Sequence, residues 1–437
     1  MRRFSGSKRK ITFIMLFVGM ALSFSFNAAE SEEKIITWSK SFDPDDIGKI
    51  FAIHQTAEGH YILLAHSGQV PRPIARTFLQ DRSMILKGKL FNAIIKLDEN
   101  GQVLEKKVYN DESQLFKDID FGAENVIKTR DGGRLSAYLF NPNVSDTVKQ
   151  LPWIFVGENT SYEIHLQLIK QDQKGKEEWR KDYGRILGGI PIMIQEHNEG
   201  FYLAGNRYFN PWIMKIDNNG NKLFEYEYSK SKDDIGKLND AKDTRDGGII
   251  AVGTWSKSRG TPGHFMIFKL DGNGKLLWDK LIGSEEDNWA LSMDETKDGK
   301  YIVAGVSGED VYVIKIDGSG SLVWENYLLG FATHHNLGEM PPAIYIHTLK
   351  DGNYIINGRG CCGNEGWALM KLDGSGNLIW EKYYKQIEDT GYAPALETND
   401  GGFLFWGHNY KYLRNKWISN SIILKLDGEG NLEKKRP

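Results

Sequence analysis

The chain has 437 residues, enough for a large core, and a formal net charge of −3 at pH 7. That near-balance excludes the basic footprint of a nucleic-acid binder. Aromatic residues at 12% and 47 glycines favour strands joined by tight turns.

The N terminus stands apart. Arg2, Arg3, Lys8, Arg9 and Lys10 precede an apolar run, Ile11–Phe26, followed by Asn27, Ala28 and Ala29. Basic, then apolar, then small is the order of a secretory signal, with cleavage after Ala29. An uncleaved anchor helix is the alternative, but the run falls short of the ~20 residues a membrane span needs. The expectation is a signal peptide over 1–29 and one mature domain over 30–437, secreted or periplasmic, monomeric and without a membrane span.

From there two phrases alternate seven times. One is a turn followed by an apolar strand: Thr56–Ala65, Thr129–Ala137, His197–Gly205, Thr244–Gly253, Thr296–Gly305, Leu349–Gly358 and Thr398–Gly407. The other is Lys-[Leu/Ile]-Asp-x-x-Gly followed by apolar residues. It reads KLDGSGNLIW at Lys371–Trp380, with sharp copies at Lys215–Phe224, Lys269–Trp278 and Lys315–Trp324. Looser copies are Lys96–Glu105, Lys170–Trp179 and Lys425–Lys434. A period of about fifty residues marks a solenoid or propeller.

Each unit reads as four short strands. Asp bonds its own turn backbone, and Gly takes the left-handed conformation in Thr-x-Asp-Gly-Gly and again in Asp-x-x-Gly. Four hairpin-joined strands make a propeller blade. The predicted blades span about 48–109, 121–183, 190–228, 238–282, 288–328, 342–384 and 392–432. The last copy has Lys434 where others have Trp, and Ile35–Phe42 supplies the missing strand, with Trp38 aligned to Trp380. The predicted fold is therefore all-β: a seven-bladed β-propeller of four-stranded antiparallel blades, its ring closed by the N-terminal strand pairing into the last blade. Trp38, Trp179, Trp278, Trp324 and Trp380 read as blade-docking residues rather than a stacking surface for sugars.

Alternation along the blade assigns the faces. The two repeated turns share one face, and the variable connections share the other, where binding usually resides. Insertions occur at His66–Leu90, Asn141–Ser161 and His408–Trp417. The candidate ligand-binding residues on that face are Arg72, Arg76, Arg82, Arg207, Trp255, His334, His335, Arg359, Cys361 and Cys362. The adjacent cysteines either close a vicinal disulfide or remain two thiols; they staple no distant segments. His334 and His335 point opposite ways on an extended chain, and with Glu339, His347 and His408 they show no ligand spacing, so no metal site is assigned. The Asp-rich turns are too short for a calcium loop. No nucleophile elbow, phosphate loop or Ser/His/Asp order is present, so no catalytic residue is assigned.

The phrase K-[LI]-D-x-x-G-x-h-h-W resembles the repeat of exported bacterial β-propellers related to pyrroloquinoline-quinone-type repeats, over nearly all of 35–432. Quinoproteins of that kind have eight blades, a longer Asp-to-Gly spacing and calcium ligands, which this chain lacks. The resemblance implies the fold, a Trp that docks blade on blade, and a vicinal cysteine pair that elsewhere roofs a quinone. The expected function is a module binding a protein, small-molecule or carbohydrate ligand through the loop face, without cofactor. The alternative is a quinone- and calcium-dependent oxidoreductase or a carbohydrate-active enzyme.

Overall fold

A computed structural model describes residues 35–43, 46–67, 93–109, 126–140, 165–185, 193–197, 200–207, 209–258, 260–283, 287–308, 310–328, 344–359, 367–387, 395–413 and 416–432. The chain divides into Met1–Lys34, which lies outside these, and Ile35–Pro437. The described residues form seven four-stranded antiparallel sheets and no helix. No helix among them is long and apolar enough to cross a membrane.

Blade 4 is representative, with strands Ile235–Asp243, Ile249–Ser256, His264–Leu270 and Leu276–Ile282 in that spatial order. The first strands of successive blades touch one another around the ring axis. Asn239 donates to the Ala290 carbonyl of blade 5 at 2.8 Å, and Asp294 of blade 5 accepts from the Thr348 amide of blade 6 at 2.8 Å. Six apolar clusters each span two neighbouring blades; one joins Leu203, Trp212 and Met214 to Leu135 and Leu168. Among the described residues none spans blades 1 and 2.

The seventh sheet is completed from the N terminus. Trp38–Ser41 pairs antiparallel with the last strand, Lys416–Leu426, and sets Trp38 opposite Lys425. The same register places Trp380 opposite Lys371 and Trp278 opposite Lys269. Trp38 then reaches the next blade: its Nε1 donates to the Glu99 carbonyl at 2.8 Å, and its ring covers Gly101, where a Cβ would lie 2.7 Å from the indole.

The other seams repeat this joint. Trp179 covers Gly220, Phe224 covers Gly274, Trp278 covers Gly320, Trp324 covers Gly376 and Trp380 covers Gly430. Trp179 and Trp278 also donate to Asn218 and Gly318 carbonyls at 2.9 and 2.8 Å. The exception is blade 1, where Glu105 occupies the register opposite Lys96 and sits 3.2 Å from Lys107 instead. These indoles are half-buried, so removing one should cost less than the ~3–5 kcal/mol of a fully buried Trp, and an aromatic repeated at six seams is a principal fastening of the ring.

Both turns depend on left-handed glycine. In blade 4, Asp271 accepts from the Asn273 and Lys275 amides at 2.9 Å through one carboxylate oxygen, and Gly274 has φ +83°. The strand register slips beside it, between Lys269 and Leu270, as a three-residue hairpin with a glycine bulge requires. In Thr-x-Asp-Gly-Gly, Gly247 has φ +84°, while a Cβ on Gly248 would meet the Leu270 carbonyl oxygen at 2.3 Å.

Candidate functional site

The turn-bearing face is rich in paired charges among the described residues. In five blades the lysine that opens the Lys-x-Asp phrase turns back to the aspartate of its own blade's Asp-Gly turn, whereas Lys215 of blade 3 donates to the Gly272 carbonyl of blade 4 at 3.1 Å. Lys170 meets Asp131 at 2.7 Å, Lys371 meets Asp351 at 3.0 Å and Lys425 meets Asp400 at 2.8 Å. Lys269 bonds Asp246 in the same way and also reaches the Tyr301 hydroxyl at 2.9 Å. Burial alone would raise the Asp400 and Asp246 carboxyls, but the lysine and the threonine of the turn hold both below the usual carboxylate range. Sequence reasoning missed this pairing, although a lysine at a core-facing strand position in seven copies was the available signal.

The same end of the ring axis carries bridges between first strands. Asp294 takes the His347 ring nitrogen at 2.8 Å, Lys242 at 2.6 Å and the Thr348 amide at 2.8 Å. Burial pushes its carboxyl up, and those three donors outweigh it, leaving Asp294 far below the ordinary value. His197 lies 2.9 Å from Asp243, which Gln195 also bonds. His347 thus belongs to a blade-to-blade bridge. No group of three His, Cys, Asp or Glu side chains among the described residues is arranged to hold a metal ion.

Three of the sequence candidates, Arg207, Trp255 and Arg359, lie toward the opposite ends of their strands. Arg72, Arg76, Arg82, His334, His335, Cys361 and Cys362 lie outside the described residues. Arg359 ends the second strand of blade 6, opposite Trp367. Arg207 ends the second strand of blade 3, opposite Asn210. Its guanidinium lies 2.5 Å from Glu225 and 5.2 Å over the Trp212 ring. Glu225 also accepts from Trp212 Nε1 and Lys222 at 2.7 Å, so the Arg207 charge is balanced within its own blade. Trp255 donates to Asp234 at 2.8 Å; that buried carboxylate also accepts from the Lys230 and Ser231 amides and from Ser229. Asp234 thereby fixes the blade 3-to-4 connection at the rim. The structure brings Trp255 close to the ring axis, since its residue pairs with Gly236 of the innermost strand. It does not bring Arg207 into that group.

A residue outside the sequence candidates stands beside Trp255. Lys237 follows Gly236 on the first strand of blade 4 and pairs with Thr254. That strand begins at Ile235, ahead of the Leu238 that the apolar pattern marks. Long-range bonds extend it: Gly236 donates to the Phe209 carbonyl at 2.5 Å, and the Asn206 amide group accepts from and donates to the Leu238 backbone at 2.7 and 3.1 Å. No local pattern in the sequence reports such bonds. The Lys237 side chain is exposed to water. Even so, the surrounding protein desolvates its ammonium and holds it below the ordinary lysine value. Lys237 stands on the innermost strand of its blade, where neighbouring protein crowds the ammonium while water still reaches the side chain.

No protein-family model matches this chain, and no curated protein does. Solved structures align with this chain at low identity. A proposed 6-phosphogluconolactonase from Bacteroides fragilis aligns at 13% identity and TM-score 0.45, over 79% of this chain and 89% of that one. A protein of unknown function from Dyadobacter fermentans aligns at 12% identity and TM-score 0.43, over 89% and 99%. The β-propeller domain of the trilobed protease from Pyrococcus furiosus aligns at 10% identity and TM-score 0.39, over 90% and 99%. These are likenesses of fold, and no ligand or reaction is carried over from them.

Proposed function

We propose that this protein is an exported ring that binds a protein, small-molecule or carbohydrate ligand through its loop-bearing face, without a resident cofactor. The observation that carries the reading is the contrast between the two faces. On one, the repeated turns and lysines satisfy one another. On the other, each blade ends in residues that do not repeat, set on a rigid frame, which is where propeller-like scaffolds place recognition. The basic, apolar, small order of residues 1–29 supports export, and the seven-copy phrase supports kinship with exported quinone-type propeller repeats.

Two measurements test this. Intact-mass analysis of the protein expressed with its full N terminus in a bacterial host should find a mature chain beginning at Glu30; retention of residues 1–29 contradicts export by cleavage. Hydrogen-exchange footprinting with a bound ligand, found by thermal-shift screening of oligosaccharides and acidic metabolites, should show protection at Trp255–His264 and at the ends of the long loops. Protection confined to the Asp-Gly turns assigns binding to the other face and overturns the reading.

A further inference from the structure

We infer that Lys237 anchors an anionic group, a phosphate or a carboxylate, of a ligand entering the ring axis from the loop-bearing face. The inference rests on the face assignment above and names the chemistry that face selects.

Six partly or wholly buried lysines of this ring are paired with carboxylates. Lys170, Lys242, Lys269, Lys315, Lys371 and Lys425 each lie within bonding reach of an aspartate, and Lys170 has Glu178 as well. That is the expected solution, since a cation removed from bulk water without a partner is costly. Lys237 differs from these six. It has no carboxylate within reach among the described residues, and the desolvation of its ammonium is not offset by any neighbouring charge. Asp240, three residues on, does not serve it. That carboxylate accepts from the Met293 and Ala241 amides at 2.9 Å and lies 3.3 Å from the Ser292 hydroxyl, so it is turned to blade 5.

The position is built rather than incidental. The residues on either side of Lys237 are pinned by blade 3, through Phe209 and Asn206, so the lysine rises from a fixed strand segment. A bulge follows in the same register of three blades, and the residue two places before its skipped position is Lys237 in blade 4, Lys49 in blade 1 and Trp289 in blade 5. Two cations and an indole therefore share one tier of the innermost strands, near the loop-bearing end. An anion at Lys237 would supply the charge the protein withholds, in surroundings where an ion pair is stronger than in bulk water. A planar or sugar-like portion of the ligand could lie along Trp289.

Isothermal titration calorimetry of the full chain with inorganic phosphate and with citrate tests this against Lys237→Met, Lys237→Arg and the rim control Lys232→Met. Binding of one or both anions by the parent protein is expected, weakened about tenfold or more in Lys237→Met, the loss of a charge-assisted contact. Lys237→Arg and Lys232→Met should retain it. Whichever anion binds identifies a phosphate or a carboxylate as the group selected. Removing an unpaired, desolvated charge should leave the melting temperature of Lys237→Met unchanged or higher, so misfolding would not account for the loss. Equal heats from the parent and Lys237→Met, or no binding of either anion, overturns the inference. The triple reversal Arg72→Glu, Arg76→Glu, Arg82→Glu separates it from the reading it rests on. If that variant loses a screened ligand while Lys237→Met keeps it, the loop face stands and Lys237 does not.

Discussion

Asp400 and Lys425 show, in one pair, what the repeated lysine contributes. Lys425 is almost wholly buried while Asp400 keeps part of its surface in water, and the two are 2.8 Å apart. Asp400→Ala would strand a buried ammonium and should lower stability by about 2–4 kcal/mol, read as a shifted urea midpoint. Lys425→Met leaves the half-exposed carboxylate to rehydrate and should cost distinctly less. Equal costs would mean the pair's geometry, not the stranded charge, sets the energy. The turn glycines allow a second comparison. Gly59 and Gly376 have nearly the same left-handed φ, +87° and +88°, but a Cβ on Gly59 meets nothing within 4 Å whereas on Gly376 it meets the Trp324 ring at 2.6 Å. Gly59→Ala should cost only the backbone term, about 1–2 kcal/mol, and Gly376→Ala clearly more, because the indole must move. Both turns and their aromatic partners were legible in the sequence, since Asp, Gly and Trp at fixed spacing are local signals. The lysine–aspartate pairs were not, because Lys269 lies on the third strand and Asp246 in the turn between the first two, and they meet only once the sheet register is set.

Among the elements, the innermost strands matter most, because they carry both paired charges and Lys237. Asp294 ties three blades together through Lys242 and His347. Its folded-state carboxyl lies well below its unfolded value, so the stability it contributes is full above about pH 4, the unfolded carboxylate value, and is lost as the pH falls further. Asp294→Asn should therefore destabilise the protein at pH 7 and narrow its difference from the parent below pH 4. A constant difference across that range contradicts the assignment. At the other end of these strands the sequence was a poor guide. Hydrophobic period marks where a strand is buried, and Ile235–Lys237 of blade 4 is strand through its pairing with Thr254–Ser256, with Gly236 and Leu238 pinned by Phe209 and Asn206, not through its own pattern. The candidate residues there divided accordingly. Arg207 is balanced inside its blade by Glu225, while Lys237, unmarked by any motif, is a desolvated cation with no carboxylate in reach among the described residues.

For the whole molecule the decisive feature is closure. A ring of radial sheets has two ends to join, and here the last sheet borrows Trp38–Ser41 while Trp38 itself fastens blade 7 to blade 1 over Gly101. One short strand thus completes a sheet and a seam at once. The sequence disclosed this because the final repeat lacks its aromatic and the N-terminal segment has one to spare. The seam between blades 1 and 2 is built differently, with Glu105 in the aromatic's register. Thermal unfolding of a chain starting at Glu30 beside one starting at Asp43 tests closure most directly. Loss of the strand and its indole should lower the melting temperature by roughly 5 °C or more, and a synthetic peptide covering Ile35–Phe42 should recover part of it. Equal melting of the two chains would contradict a ring closed by the N-terminal strand.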